Sequence, residues 1–158
     1  MHIRRAGDMD ARAMAELLNE VIAIGGTTAY VDPIDAPYLI GRMAEDHAIW
    51  HLAEDDAGEL LGFQWVSPMK GTDEFVAEIA TFARAGRSGL GIGSALFEAT
   101  KDASRAEGYA WINANIRADN TGGLAYYQSR GFEDYGRIEG YRMGNGQIVD
   151  KVLKRYDY

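Results

Sequence analysis

The stretch Arg87-Ser88-Gly89-Leu90-Gly91-Ile92-Gly93-Ser94 sets three glycines at alternate positions just ahead of a helix-forming run. Glycine lets the backbone approach a ligand closely, and the free N–H groups of a helix start attract anions. The chemistry on offer is therefore the holding of a phosphate or pyrophosphate; the plain alternative is a Gly-rich turn with packing duties alone. Two familiar phosphate binders are excluded by the letters. A nucleotide-hydrolase loop ends in Gly-Lys-Ser/Thr, but Gly93 is followed by Ser94 and Ala95; a dinucleotide fingerprint needs Gly at 94 or 96, where Ser94 and Leu96 stand.

These residues need elements to position them. Ile3–Arg5 reads as a short strand, followed by Asp8 or Asp10 as N-cap of an amphipathic helix with Met14, Leu17, Leu18, Val21 and Ile22 on one face and Gly25-Gly26 as its stop. Thr27–Pro37, with two prolines, two threonines and two aspartates, predicts a loop, and Tyr38–Asp46 a second short helix. His47–Glu54 and Glu59–Ser67 are strand-like runs around a turn at Asp55–Gly58, and Phe75–Ala83 continues the meander. The Gly-rich stretch then opens a helix to about Arg105. Tyr109–Ile116 reads as a strand, Asn120–Arg130 as a helix stopped by Gly131, and Tyr135–Met143 and Ile148–Tyr156 as a hairpin around Gly144-Asn145-Gly146-Gln147. The order β α α β β β α β α β β predicts a mixed α/β sheet, mostly antiparallel, with a central βαβ unit and helices on both faces. The βαβ unit is where helix N-termini face a ligand.

Composition narrows the chemistry further. A chain of 158 residues is expected to form a single domain spanning 1–158. With no Cys, disulfides, thiolate metal sites and a cysteine nucleophile are excluded. The start MHIRRAGDMD lacks the apolar stretch of a signal peptide and no run of about 18 apolar residues occurs, so a cytoplasmic protein without a membrane partner is expected. A net charge of −8 argues against a nucleic-acid partner. That charge is uneven: residues 1–79 hold 5 basic and 15 acidic side chains, residues 80–158 hold 11 and 9. The asymmetry suits an anionic ligand in one half and the approach of a cationic one along the other, or else is solvated surface charge. His2, His47 and His51 have no metal-ligand spacing, and no metal is expected.

The Gly-rich stretch resembles the pyrophosphate loop of the GNAT superfamily of N-acetyltransferases, Gln/Arg-x-x-Gly-x-Gly/Ala between strand and helix. Gly91-Ile92-Gly93 match its glycines, while its Gln/Arg position falls on Ser88, with Arg87 one residue early. A second block strengthens the resemblance: Asn120, Tyr127 seven residues on, and Gly131-Phe132 four residues after the Tyr, with Gly123 where the family usually has Ala. Asn19–Tyr30 and Asp150–Tyr156 look most like the phosphinothricin-type acetyltransferases, which act on small amino compounds.

The resemblance implies acetyl-CoA as donor and a primary amine of a small molecule, such as an amino acid or its analogue, as acceptor. Transfer would be direct, since no Cys can carry the acetyl group. It implies Glu78 as the base that takes the ammonium proton, against the alternative of a solvent-facing strand residue, and Tyr127 as the acid for the leaving thiolate, against a packing aromatic. Neighbouring Tyr126 is expected to take the packing role. Backbone groups of Phe82, Ala83 and Arg84 would run beside the pantetheine arm, Ser88, Gly89, Leu90, Gly91, Ile92, Gly93 and Ser94 would cradle the phosphates, and Arg84 and Arg87 would add charge-assisted contacts. Asn120 would bond the pantetheine, cap its helix, or both. The acceptor is expected among the early helices, the Gly25–Pro37 loop with Thr27, Thr28 and Tyr30, and the Tyr135–Gln147 hairpin, and a homodimer is plausible. Two rivals stay open: a protein or peptide N-acetyltransferase, and a non-catalytic acyl-CoA-binding sensor.

Overall fold

A computed structural model describes residues 1–84, 86 and 91–158. Seven strands form one sheet: β1 (His2–Arg5), β2 (Ile49–Glu54), β3 (Leu60–Pro68), β4 (Ala77–Ala83), β5 (Ile112–Arg117), β6 (Glu133–Arg142) and β7 (Ile148–Tyr156), in the order β1-β2-β3-β4-β5-β7-β6. Every pairing is antiparallel except β4 with β5. Four helices complete the chain: α1 (Ala11–Ile24), α2 (Ala36–Met43), α3 (Ile92–Glu107) and α4 (Thr121–Ser129). Element order and sheet type are those the sequence predicts, with β4-α3-β5 as the central crossover.

Strand alternation divides the core into two layers. On one face, Trp50, Leu52, Phe63, Trp65 and Phe82 pack against Met14, Leu17 and Leu18 of α1 and Leu39 of α2. Three rings there stack nearly parallel, Trp50 on Trp65 at 4.2 Å between centroids and Phe63 beyond. On the other face, Ile49, Val66, Ile79, Ile112, Ala114 and Ile116 pack against Phe97 of α3 and Tyr127 of α4. Adjacent residues of β4 therefore belong to different layers.

Boundaries differ from the sequence reading where local chemistry decides. Pro37 sits inside the first turn of α2 instead of the loop before it, because a missing N–H costs nothing there, and Asp35 Oδ1 caps the turn by accepting from Tyr38 N at 2.9 Å. Asp10 precedes α1 without capping it; its carboxylate instead accepts from Gly7 N at 2.8 Å and holds Arg4. Among the described residues no helix is long and apolar enough to cross a membrane.

Candidate active site

The sheet is split at its centre. β4 and β5 pair only at Ala77↔Ile112 and Glu78↔Asn113, after which β4 follows β3 to Ala83 while β5 follows β7 to Arg117. A cleft of about 1380 Å³ opens from this fork, lined along one wall by Glu78, Ile79, Ala80, Thr81, Phe82, Ala83 and Arg84. Ala77 N donates to Trp111 O at 3.0 Å, so Ala77 directs its backbone toward β5, and alternation turns Ile79, Thr81 and Ala83 the same way, into the gap. Of the three residues expected to offer backbone groups, Ala83 has that direction. Phe82 and Arg84 are turned to β3, and Arg84 N donates to Leu61 O at 2.9 Å.

Glu78 is the last paired residue before the strands part, and its side chain lines the cleft on the α1/α2 face. Burial holds its pKa above the ordinary carboxylate value, opposed in smaller measure by the charges of Lys151 and Arg42. The solvent-facing alternative does not describe this side chain. Arg42 is fixed by Tyr30 and Tyr38, whose hydroxyls lie 2.8 Å apart and each accept from its Nη1 at 3.2 Å. Its guanidinium lies 5.6 Å from the Trp65 ring centroid. Lys151 comes from β7 and packs under the Tyr141 ring at 3.6 Å, where burial lowers its pKa.

Tyr127 occupies the opposite layer. It is 8% exposed, and its hydroxyl lies 2.8 Å from Thr81 Oγ1. Burial pushes its pKa well above that of a free phenol. Thr81 in turn accepts from Gln64 Nε2 at 2.8 Å, and the same amide donates to the Tyr126 hydroxyl at 3.1 Å. Tyr126 donates its own proton to Gly93 O at 2.7 Å, and burial pushes its pKa up to about 12. Tyr126 is thus a link between α3 and Tyr127 as well as the packing aromatic the sequence reading made it. Neither Gln64 nor Thr81 carried a motif signal; each is a polar residue in a mostly apolar strand, and their pairing shows only once the layers are assigned.

Gly91 precedes α3 with φ +74°, a conformation that disfavours a side chain, and among the described residues no side chain caps the helix start. Gly93 is glycine for a different reason than ligand approach: a Cβ there would lie 2.6 Å from Tyr126 Cε1. Gly91, Ile92, Gly93 and Ser94 line the cleft, whereas Arg87, Ser88, Gly89 and Leu90 lie outside the described residues. The Arg84 side chain lines the cleft and donates to Leu60 O at 3.1 Å and to Glu20 at 3.2 Å. Asn120 caps α4 by accepting from Gly123 N at 3.0 Å and reaches Thr27 O at 3.4 Å. A Cβ on Gly123 would fall 2.4 Å from Asn120 Nδ2, so glycine here permits this cap.

Thr27, Thr28, Ala29 and Tyr30 line the cleft as expected, but no residue of Tyr135–Gln147 does. The hairpin acts from behind: Gly144 abuts Val31, where a Cβ would lie 3.0 Å from Val31 Cγ2, and Lys151 is what this pair of strands presents to the cleft. Charge in the cleft favours the second of the two readings of the asymmetry, solvated surface charge. Its described acids are Glu45 and Glu78, against Arg42, Lys70, Arg84, Arg117, Arg130 and Lys151, so the acidic excess of residues 1–79 faces elsewhere.

An anionic, extended ligand fits this site on three counts: among the described residues, strand groups without a strand partner along Ile79–Ala83 and a helix start that no side chain caps behind a left-handed glycine, together with a basic lining.

Comparison with known proteins agrees. A curated relative, the L-methionine sulfoximine/L-methionine sulfone acetyltransferase of Pseudomonas paraeruginosa, is 28% identical over 94% of this chain and 89% of its own length. Among solved structures, a ribosomal-protein-alanine N-acetyltransferase from Brucella melitensis superposes with a TM-score of 0.90 at 20% identity over all of both chains. A phosphinothricin acetyltransferase from Sinorhizobium meliloti in complex with acetyl-CoA superposes at 0.88 and 20% identity, over 99% of this chain and 87% of that one. The acetyltransferase (GNAT) family model matches residues 13–132, and the chain belongs to that family.

Proposed function

We propose that this protein acetylates the amino group of a small amino acid or amino-acid analogue, by direct transfer from acetyl-CoA. The observation that carries the acceptor class is the setting of Glu78: a buried carboxylate at the fork, with Arg42 and Lys151 acting on it electrostatically. A zwitterionic acceptor offers an ammonium to the first and a carboxylate to the other two. The relative that acts on methionine sulfoximine and methionine sulfone supports the same class.

Acetyl-CoA, when bound, supplies an activated thioester whose acetyl group passes to the amine nitrogen as the carbon–sulfur bond breaks. Ile79, Thr81, Ala83, Gly91, Ile92, Gly93, Ser94 and Asn120 would hold it. Glu78 takes the proton of the ammonium, and a raised pKa brings its basicity closer to the working pH. Tyr127 gives its proton to the departing thiolate; the second proton that the amine nitrogen sheds on becoming an amide restores the phenol through solvent, and Glu78 releases the first to solvent. The Tyr127 hydroxyl stays protonated beforehand because burial opposes the phenolate, so the proton leaves only as the thiolate charge develops. When Thr81 donates to Tyr127, the Tyr127 proton is free to point at the cleft.

Roofing of the cleft by Thr27–Tyr30, braced by Asn120 and the Val31–Gly144 contact, favours a small amine over an extended peptide. The proposal includes a cytoplasmic setting and a homodimer. Its test is free-thiol release from acetyl-CoA across amino acids, their sulfoximine and sulfone analogues, decarboxylated amines and basic peptides, with calorimetric acetyl-CoA binding alongside. Turnover with amino-acid analogues and loss of it on decarboxylation is expected; turnover with peptides alone, or tight binding with no turnover, would overturn the reading in favour of a protein acetyltransferase or a sensor.

A further inference from the structure

β6 ends the sheet with no strand beyond it among the described residues, and nine of its ten residues are exposed. An open edge of this length is a template for further pairing, and such edges are usually blunted by charge of one sign. This one is charged differently. Asp134-Tyr135-Gly136-Arg137-Ile138-Glu139-Gly140-Tyr141-Arg142 inverts onto itself about Ile138. Tyr135 mirrors Tyr141, Gly136 mirrors Gly140, and each charge mirrors its opposite, Asp134 with Arg142 and Arg137 with Glu139.

Symmetry turns that pattern into a surface. A two-fold axis through Ile138, laying two copies of β6 antiparallel, sets each residue opposite its mirror position. Every acid then faces a base, whereas a shift of register puts like charges or Gly against Tyr in places. The segment is neutral on a chain of net charge −8, so it is a place where two copies meet without repulsion. Tyr135, Ile138 and Tyr141 are 41%, 36% and 43% exposed, an apolar stripe centred on the axis. The two irregularities in the β6–β7 pairing, at Asp134/Gly136 and Ile138/Tyr141, flank Ile138 on either side.

We propose that β6 is the homodimer interface, a self-complementary edge that joins two copies into one continuous sheet about Ile138. This deepens the dimer in the proposed function, and its test reads mass, so its failure and a failure of thiol release are separate results. In sedimentation equilibrium the wild type is expected at twice the chain mass of 17.4 kDa. Arg137→Glu and Glu139→Arg each set like charges across the axis twice and are expected to weaken self-association at least tenfold. Arg137→Glu also sets an acid beside Asp150, its partner at 2.9 Å, so folding of that variant needs a control. Mixing the two variants provides it: only the heterodimer is charge-matched, and it is expected to form, as is the homodimer of the double variant R137E/E139R. A monomeric wild type, single variants that remain dimers, or variants that neither mixing nor the double substitution restores would each overturn the interface.

Discussion

The two walls of the fork use burial for opposite purposes. On the α1/α2 side, Glu78 is desolvated among Arg42, Lys151 and a polar lining, and burial raises the proton affinity of the proposed base. On the α3/α4 side, Tyr127 is desolvated among Phe97, Phe132 and Ile116, and burial strengthens the proposed acid's hold on its proton. The first wall is tuned by charge and the second by a hydrogen-bonded relay of neutral groups, the hydroxyls of Thr81 and Tyr126 and the amide of Gln64. A single strand carries both, because Glu78 and Thr81 differ by an odd number of positions and so point to opposite faces of β4. The proposed transfer puts proton chemistry on both sides of the sheet, and the split in the sheet lets one cleft reach both.

Removing the base should have the larger effect. Glu78→Gln is expected to lower kcat/KM by roughly 10³, the middle of the range for a positioned general base. The pH profile then sharpens the comparison. Glu78 must be ionised to act, so wild-type kcat/KM should rise with pH through a midpoint above the ordinary Glu value, and Arg42→Met, which removes a charge that lowers this pKa, should move the limb to still higher pH. A limb unmoved in that variant would separate Arg42 from the base. Tyr127→Phe is expected to cost about 10² in kcat with acetyl-CoA affinity little changed, the pattern of an interaction made in the transition state. Equal losses of binding and turnover would make Tyr127 a structural residue.

The same rule acting on a base elsewhere in the sheet gives a stability prediction. His51 on β2 is 7% exposed, its Nδ1 has no partner among the described residues, and burial, helped by Arg5, lowers its pKa from 6.5 to about 4. A depressed folded pKa means the unfolded chain binds the proton first, so stability is intact above pH 6.5 and falls as the pH drops toward 4, by about 3 kcal/mol at most. His51→Leu removes this titration. Thermal unfolding measured from pH 7.5 to 4.5 should show the acid loss reduced in the variant, and parallel curves would mean His51 is not the group responsible.

Apolar spacing made α1 and α3 legible, and turn and stop signals marked the remaining elements, the β6–β7 hairpin above all, with ends displaced by capping and turn chemistry, as at Pro37 and His47, which turns with φ +63° before β2. The resemblance pointed to Glu78 and Tyr127, and the structure sets both in the cleft. What stayed hidden depends on pairing across distance. Which β4 groups face the gap follows from the parity fixed by the Ala77–Trp111 bond, and that Gly93 serves Tyr126 follows from how α4 crosses α3. Charge asymmetry could not choose between its two readings because sequence halves do not map onto the cleft: Lys151 and Arg117, from the second half, line it together with Arg42 from the first.

Thr81 gives the finest division of the two walls. If it matters as a donor that leaves the Tyr127 proton free for the cleft, Thr81→Val should lower kcat about tenfold, the worth of one neutral hydrogen bond, while KM for the acceptor, set on the Glu78 side, stays within about twofold. Thr81→Ser keeps the hydroxyl and should restore most of the rate. Valine conserves the shape of threonine and its strand propensity, so a loss in the valine variant rescued by serine separates the hydroxyl from packing. The valine substitution would also remove one of the two acceptors of the buried Gln64 amide, which costs stability whatever Tyr127 does. The discriminating quantity is therefore the solvent isotope effect on kcat: it should grow in Thr81→Val if proton delivery by Tyr127 has become slower, and stay at the wild-type value if Thr81 only holds the strand in place.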